Sequence, residues 1–410
     1  MKESAMNLIS QYKGLNRNFY IMTFAVLVNC AGSFVSVFLS LYLTVMLGLN
    51  AVHTGIIVSI YTLLHIPGSL IGGRLSDVRG RKITMVVSQL LMGACFIAVG
   101  FTLHMKSSII LLCLANFCDG ITDPARSALE IDMTTAKDRQ IAFSLLYQAF
   151  NIGFAIGPMA AGWLFYSHPQ WLFWGNGLAL MISISIVMIF VPESKPDVLT
   201  NETNISEGES RTDGSVLKAL LSRPQLLLFS IGTLLIAFAY KQISFVLPIQ
   251  LNEMFNADGP RIYGTIASLN AFSVILLNPI VLNISKRNNV LKNVIYAVLT
   301  YAVSFLLLGI ADLPYQFFII TIFYTIGEML INNNSRTYQS NNTPVNFRGR
   351  FNAILPLFKT VGVMSAPIIG GLIVNTYSFP LLWTLVSIIA LATCCIYLYV
   401  YKHYEIRREN

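Results

Sequence analysis

The chain has 410 residues, 55% of them hydrophobic and only 11% charged, with a formal net charge of +8 and a mean hydropathy of +0.65. An average soluble domain is about one quarter charged, so these charges are too few to build a water-facing surface. Most side chains must face lipid, and the expected class is an all-α membrane protein.

Residues 1–18 are polar and carry Lys2, Lys13 and Arg17, and the apolar run that follows is too long for a cleavable signal peptide. A helical crossing needs about 20 apolar residues. Runs of that kind fall at 18–47, 51–73, 83–104, 108–134, 141–166, 170–191, 224–254, 261–283, 290–311, 314–339, 351–376 and 379–401. Pro67, Pro124, Pro158, Pro248, Pro279 and Pro367 lie inside runs, which a helix bundle tolerates when neighbours satisfy the freed backbone groups. The long polar break, 192–223, is rich in Ser, Thr, Glu, Asp and Asn and reads as a flexible linker. It divides the chain into an N-terminal half (1–191) and a C-terminal half (224–410) of six runs each.

If both termini and the linker share one side, 21 Lys and Arg lie on that side and two, Lys106 and Arg261, on the other. The positive-inside rule then puts both termini in the cytoplasm of a multi-pass cell-membrane protein. This topology accounts for the net charge without a nucleic-acid partner. The six cysteines all fall in apolar runs, without metal-type spacing, and read as small hydrophobes. No metal site is expected.

The halves echo each other. Gly153-xxx-Gly157-Pro158-xx-Ala161-Gly162 in the fifth run recurs as Gly362-xxx-Ala366-Pro367-xx-Gly370-Gly371 in the eleventh. Asp123-Pro-Ala-Arg126-Ser in the fourth run recurs as Asn333-Asn-Ser-Arg336-Thr in the tenth. Small-xxx-small patterns are common on membrane helix faces, but two matches at nearly one offset argue for duplication.

After the second run comes Gly73-Arg-Leu75-Ser-Asp77-Val-Arg-Gly80-Arg81-Lys82. It resembles the signature loop of the major facilitator superfamily, Gly-x-Leu-Ala-Asp-Arg-x-Gly-Arg-Lys, with Val78 in place of an Arg. The resemblance extends over essentially the whole chain. It implies twelve transmembrane helices in two pseudo-symmetric six-helix bundles. It also implies that Gly73, Asp77, Gly80 and Arg81, with Asp132 as the partner of Arg81, form a latch holding one alternating-access state. In that reading Asp77 ends a helix in a turn that Gly80 permits; the plainer reading of the loop is positive-inside topology alone. Gly153, Gly157, Pro158 and Gly162 resemble the motif of the antiporter branches. The stretch from Asp123 to Leu129, with Asp132, Arg139 and Gly327-Glu328, resembles the twelve-span drug/proton antiporters, including bacterial multidrug exporters. Where that branch often carries an Arg linked to proton coupling, this chain has Asn116, so either the usual coupling route is absent or Arg126 takes part of that role.

Charges at membrane depth cost at least ~2.5 kcal/mol each and persist when paired, hydrated or functional. Asp119, Asp123, Arg126 and Glu130 are spaced 4, 3 and 4, which puts them on one helical face. Asp119, Asp123, Glu328 and Arg126 are the proton-coupling candidates, against a purely structural ion ladder. Lys241 and Lys359 are candidates for an anion contact or a counter-ion to Glu328, against snorkelling. Asn29, Ser33, Tyr147, Gln148 and Asn151 are further substrate-cavity candidates, with bonding between helices as the alternative. His65 stands in no pattern that lifts it above packing.

The chain carries no Walker-type loop, and no metal or nucleotide cofactor is expected; an enzyme, a receptor and a fixed channel all fit the duplicated halves less well than a transporter. The expectation is a secondary active transporter working by alternating access, with proton-coupled efflux of amphiphilic drug-like compounds. The alternative is ion-coupled transport of a specific metabolite, peptide or lipid-like molecule. The expected partners are a small-molecule substrate, protons and the lipid bilayer, and the chain is expected to act as a monomer.

Overall fold

The computed structural model describes residues 14–135, 138–194, 223–343 and 348–405, so most of the expected linker lies outside the described residues. The described chain is helical throughout, with short turns. Its helices in order are α1 (Arg17–Ala31), α2 (Val35–Leu41), α3 (Ala51–Arg79), α4 (Arg81–Phe101), α5 (Ser108–Asp132), α6 (Arg139–Ser167) and α7 (Gln170–Phe190). There follow α8 (Pro224–Phe255), α9 (Gly259–Ser285), α10 (Val290–Ile310), α11 (Pro314–Asn342), α12 (Arg348–Thr376) and α13 (Phe379–Val400). Among the described residues, eleven helical stretches are long and apolar enough to cross a membrane. One of them, Pro224–Ser285, contains both α8 and α9, joined by a single tight turn in which Asn256 takes a positive φ of 49°. Asn tolerates the left-handed conformation that ends a helix.

The outside of this fold needs an apolar solvent. Leu70, Ile110 and Ile310 are each 71% exposed. In water such surfaces would drive aggregation, whereas in lipid they are neutral. The protein is a multi-pass membrane protein.

The first run, expected as one helix over 18–47, is interrupted at residues 32–34. Gly32 lies against Ala179 with no space for a side chain. Just beyond it the Asn176 carboxamide oxygen accepts from the Val35 amide at 3.1 Å. A side chain of α7 thus replaces the carbonyl that an unbroken helix would have supplied, which is how a break survives at membrane depth.

The chain divides into two compact units. One gathers Met1–Leu49, Ile60–Pro196 and Phe255–Phe272, the other Asn50–Ser59, Asp197–Met254 and Ser273–Asn410. In the first, α4 packs on α5 and α7, and α1 packs on α6 and α7; in the second, α10 packs on α11 and α13. Buried polar groups tie each unit together. In the first, the Tyr42 hydroxyl lies 2.8 Å from both the Leu103 carbonyl and the Ser108 hydroxyl. In the second, the Trp383 indole donates to the Gln250 carboxamide at 2.6 Å, and Tyr397 donates to the Phe229 carbonyl at 3.1 Å.

The internal repeat reaches further than its Gly-Pro elements. In the first unit a Cβ on Gly264 would collide with the Pro158 carbonyl, and the Ser268 hydroxyl accepts from the Met159 amide at 3.1 Å. In the second unit a Cβ on Gly55 would collide with the Pro367 carbonyl, and the Ser59 hydroxyl donates to the Met364 carbonyl at 2.8 Å. Gly55 to Gly264 and Ser59 to Ser268 are both separated by 209 residues, the same interval as Gly153 to Gly362. The start of α9 therefore crosses α6 as the start of α3 crosses α12.

Candidate functional site

The charged face of α5 is met by α3. The two helices approach until no side chain fits between them: Gly68 lies on the Phe117 carbonyl, Gly72 on Ile121, and Gly120 on the His65 carbonyl. This close crossing sets His65 beside the acids. Its Nε2 is 3.1 Å from Asp123 Oδ2 and 3.9 Å from Asp119 Oδ2. On the other side of Asp123, Arg126 Nη2 donates to Oδ1 at 2.5 Å. Arg126 Nε lies 4.0 Å from Glu130 Oε1, and Glu130 is 9% exposed.

The expected ladder is therefore a five-residue cluster with His65 at its head. Three carboxyls face one permanently charged guanidinium and one imidazole whose charge depends on pH. Asp123 is the hub of the cluster because partners from two helices share it. From the sequence alone His65 reads as a packing residue. The available signal was the Gly-xxx-Gly of 68–72, which continues the face of His65 at i+3 and i+7 and marks where α3 comes closest to its neighbour. Asn116 stands outside the cluster: its side-chain amide donates to the Tyr61 carbonyl at 2.6 Å, bonding α5 to the α3 backbone.

The repeat offers an internal comparison. Asn333, which stands where the N-terminal half has Asp123, donates from its side chain to Asn278 on α9 at 2.9 Å. One half thus joins its corresponding helices through a carboxylate and an imidazole, the other through two amides that do not titrate.

The second unit contains a cavity of about 370 Å³. Glu328, Arg336 and Lys359 line it, with Tyr240, Tyr301 and Tyr397. The Tyr240 hydroxyl is hydrogen-bonded to the Glu328 carboxyl, and its ring lies 5.5 Å from that of Tyr301. Lys241 is absent from this lining. Neither Lys241, Lys359 nor Arg336 makes an ion pair among the described residues.

At the end of α3 the signature loop takes a specific form. Gly80 has φ 112°, a conformation that L side chains avoid. Arg81 forms an ion pair with Asp132 and donates to the Ala128 carbonyl at 3.1 Å. Two residues that the sequence did not flag complete it. The Glu193 carboxylate accepts from the Lys82 and Ile83 amides at 2.8 and 2.9 Å, capping the start of α4. Ser194 donates to Asp132. Asp77 does not end its helix, as the loop motif suggested. The helix runs on to Arg79, and Asp77 is exposed within the last turns. A Cβ on Gly73 would meet open space, so packing does not require a glycine there.

The antiporter-type motif makes backbone approaches within the first unit. Gly153 and Gly157 lie against residues 27–31 of α1, and Gly162 against Pro260. Among the cavity candidates, Ser33 donates to the Asn29 carbonyl at 3.2 Å and buried Asn151 to the Tyr147 carbonyl at 2.7 Å, both on their own local backbone. Asn29 and Gln148 are half-buried and Tyr147 is exposed.

This fold and these elements have close counterparts. The family model described as Major Facilitator Superfamily matches residues 21–354 and 254–409. The chain belongs to the Major Facilitator Superfamily, a family of transporters and not of enzymes. It is 23% identical over 378 residues to a "Na(+), Li(+), K(+)/H(+) antiporter" of Planococcus maritimus, covering 86% of this chain and 88% of that protein. It is 25% identical over 401 residues to "Multidrug resistance protein MdtH" of Photorhabdus laumondii subsp. laumondii, covering 95% of each. Among solved structures, a mutant of the peptide transporter POT in complex with sulfate has a TM-score of 0.77 at 16% identity, covering 95% of each chain; this likeness concerns the fold alone.

Proposed function

We propose that the protein is a proton-coupled exporter of amphiphilic compounds, working by alternating access. In this reading twelve helices cross the cell membrane, because Pro224–Ser285, at 62 residues, would span roughly 93 Å if straight and must cross twice. Residues 1–191 and 224–410 are the two halves, the linker and both termini face the cytoplasm, and the chain acts as a monomer.

The observation that carries the coupling is the cluster of His65, Asp119, Asp123, Arg126 and Glu130. A proton arriving at Asp123 weakens its hold on Arg126 and His65, and departure of that proton restores it. A carboxyl whose ionised form is held by two partners, and whose neutral form releases both, links proton occupancy to the α3–α5 contact. Arg81, Asp132, Glu193 and Ser194 form the latch that favours one state. The named antiporter and multidrug relatives support export in exchange for protons.

The test uses proteoliposomes with an imposed pH gradient and a panel of amphiphilic dyes. Gradient-driven movement of at least one dye is expected, with strong loss in Asp123→Asn. If no compound moves with the gradient, or if Asp123→Asn couples normally, the reading fails.

A further inference from the structure

The cavity of the second unit has two unlike walls. Along α11, residues 328, 332, 335, 336 and 339 face it at helical spacing, so one helix presents a carboxyl, two amides, a hydroxyl and a guanidinium in a row. Lys359 of α12 adds an ammonium. Facing them are Val294 and Val298 of α10 and Ile236 and Ala237 of α8, with the rings of Tyr240 and Tyr301. The charge is unbalanced: two fixed cations against one carboxyl, which already receives the Tyr240 hydroxyl. Positive-inside topology accounts for cations in loops. Arg336 and Lys359 lie instead within helices, both exposed on the walls of the cavity and without an ion-pair partner among the described residues. A cavity of about 370 Å³ falls in the range of small-molecule sites.

We infer that this cavity binds organic anions: a carboxylate-type head between Arg336 and Lys359, and an apolar or aromatic body against the tyrosine and aliphatic wall. Arg336 supplies a planar fork matched to a carboxylate, and Lys359 a mobile point charge. Glu328 lies on the same wall two turns of α11 away, where it repels a second anionic group and admits a donor. The class of cargo is thus amphiphilic with a negative head. The inference rests on reading the chain as a transporter whose cargo enters this cavity.

The probes are three naphthalenes of nearly one size: 1-naphthoate, 1-naphthylmethanol and 1-naphthylmethylammonium. Binding to the full-length purified protein is followed by titration calorimetry. Naphthoate is expected to bind about tenfold more tightly than the alcohol, the worth of one charge-assisted hydrogen bond. Arg336→Gln and Lys359→Gln should each lose most of that preference, while Lys359→Arg keeps it and shows that the site tolerates substitution. Equal binding of the three probes, or a naphthoate preference surviving in the double Gln variant, overturns the inference. Repeating the titration on Asp123→Asn separates the two claims. An intact naphthoate preference there supports the anion site whatever happens to gradient-driven flux, and an intact preference in a wild type that shows no such flux removes the coupling alone.

Discussion

Asp123 Oδ2 lies 3.1 Å from a histidine and Asp123 Oδ1 lies 2.5 Å from an arginine, and the two partners come from different helices. The arginine is local: it sits three residues along the same helix, so its pairing is fixed by spacing. The histidine is 58 residues distant in the chain and arrives only through the α3–α5 crossing. This difference explains what could be read from the sequence at this site. The acids, Arg126 and their common face followed from helical period, whereas the pairing of Arg81 with the end of α5 was implied by the resemblance of its loop to the family signature. His65, Glu193 and Ser194 did not, because their partners are set by tertiary contact. His65→Gln keeps a donor but removes the titrating group. It is expected to leave the protein folded while flattening the pH dependence of transport, since the glutamine side chain does not titrate. The check is initial efflux rate against pH; an unchanged profile would assign His65 to packing.

At the scale of helices, the informative feature is a crossing without side chains. Gly264 meets the Pro158 carbonyl and Gly55 meets the Pro367 carbonyl, each in its own unit and at matching positions of the repeat. The Gly-Pro elements were visible in the sequence, but the glycines and serines opposite them were not, since a single Gly and a single Ser carry no pattern. What blocks a Cβ at Gly264 is backbone, which cannot swing aside as a long side chain can. Gly264→Val is expected to destabilise the protein by about 1–3 kcal/mol, in the range of overpacked sites. The measurement is thermal unfolding of the purified protein in detergent. Gly73→Ala, at a position with open space, serves as the matched control and is expected to melt within a degree or two of wild type, in line with neutral surface changes. Equal melting of the two variants would show that the crossing accommodates a side chain.

Across the whole molecule, the two units share a repeat and differ in their charges. The first concentrates its acids around one histidine and one arginine; the second replaces the Asp123–His65 contact with an Asn333–Asn278 amide pair and puts Arg336 and Lys359 on a cavity wall. The helical class and most span positions could be read from the sequence because hydrophobic runs of about 20 residues leave a chain little alternative in lipid. The break at Gly32 could not, since Asn176, which compensates for it, lies in a distant helix. The direct test of proton coupling uses proteoliposomes loaded with a pH-reporting dye, to which a transported compound is added from outside. Entry of the compound should drive protons out and make the lumen more alkaline, and Asp123→Asn should bind the compound yet leave lumenal pH unchanged. Entry of the compound with no pH change in the wild type, or an equal pH change in Asp123→Asn, would contradict a proton exchange centred on that aspartate.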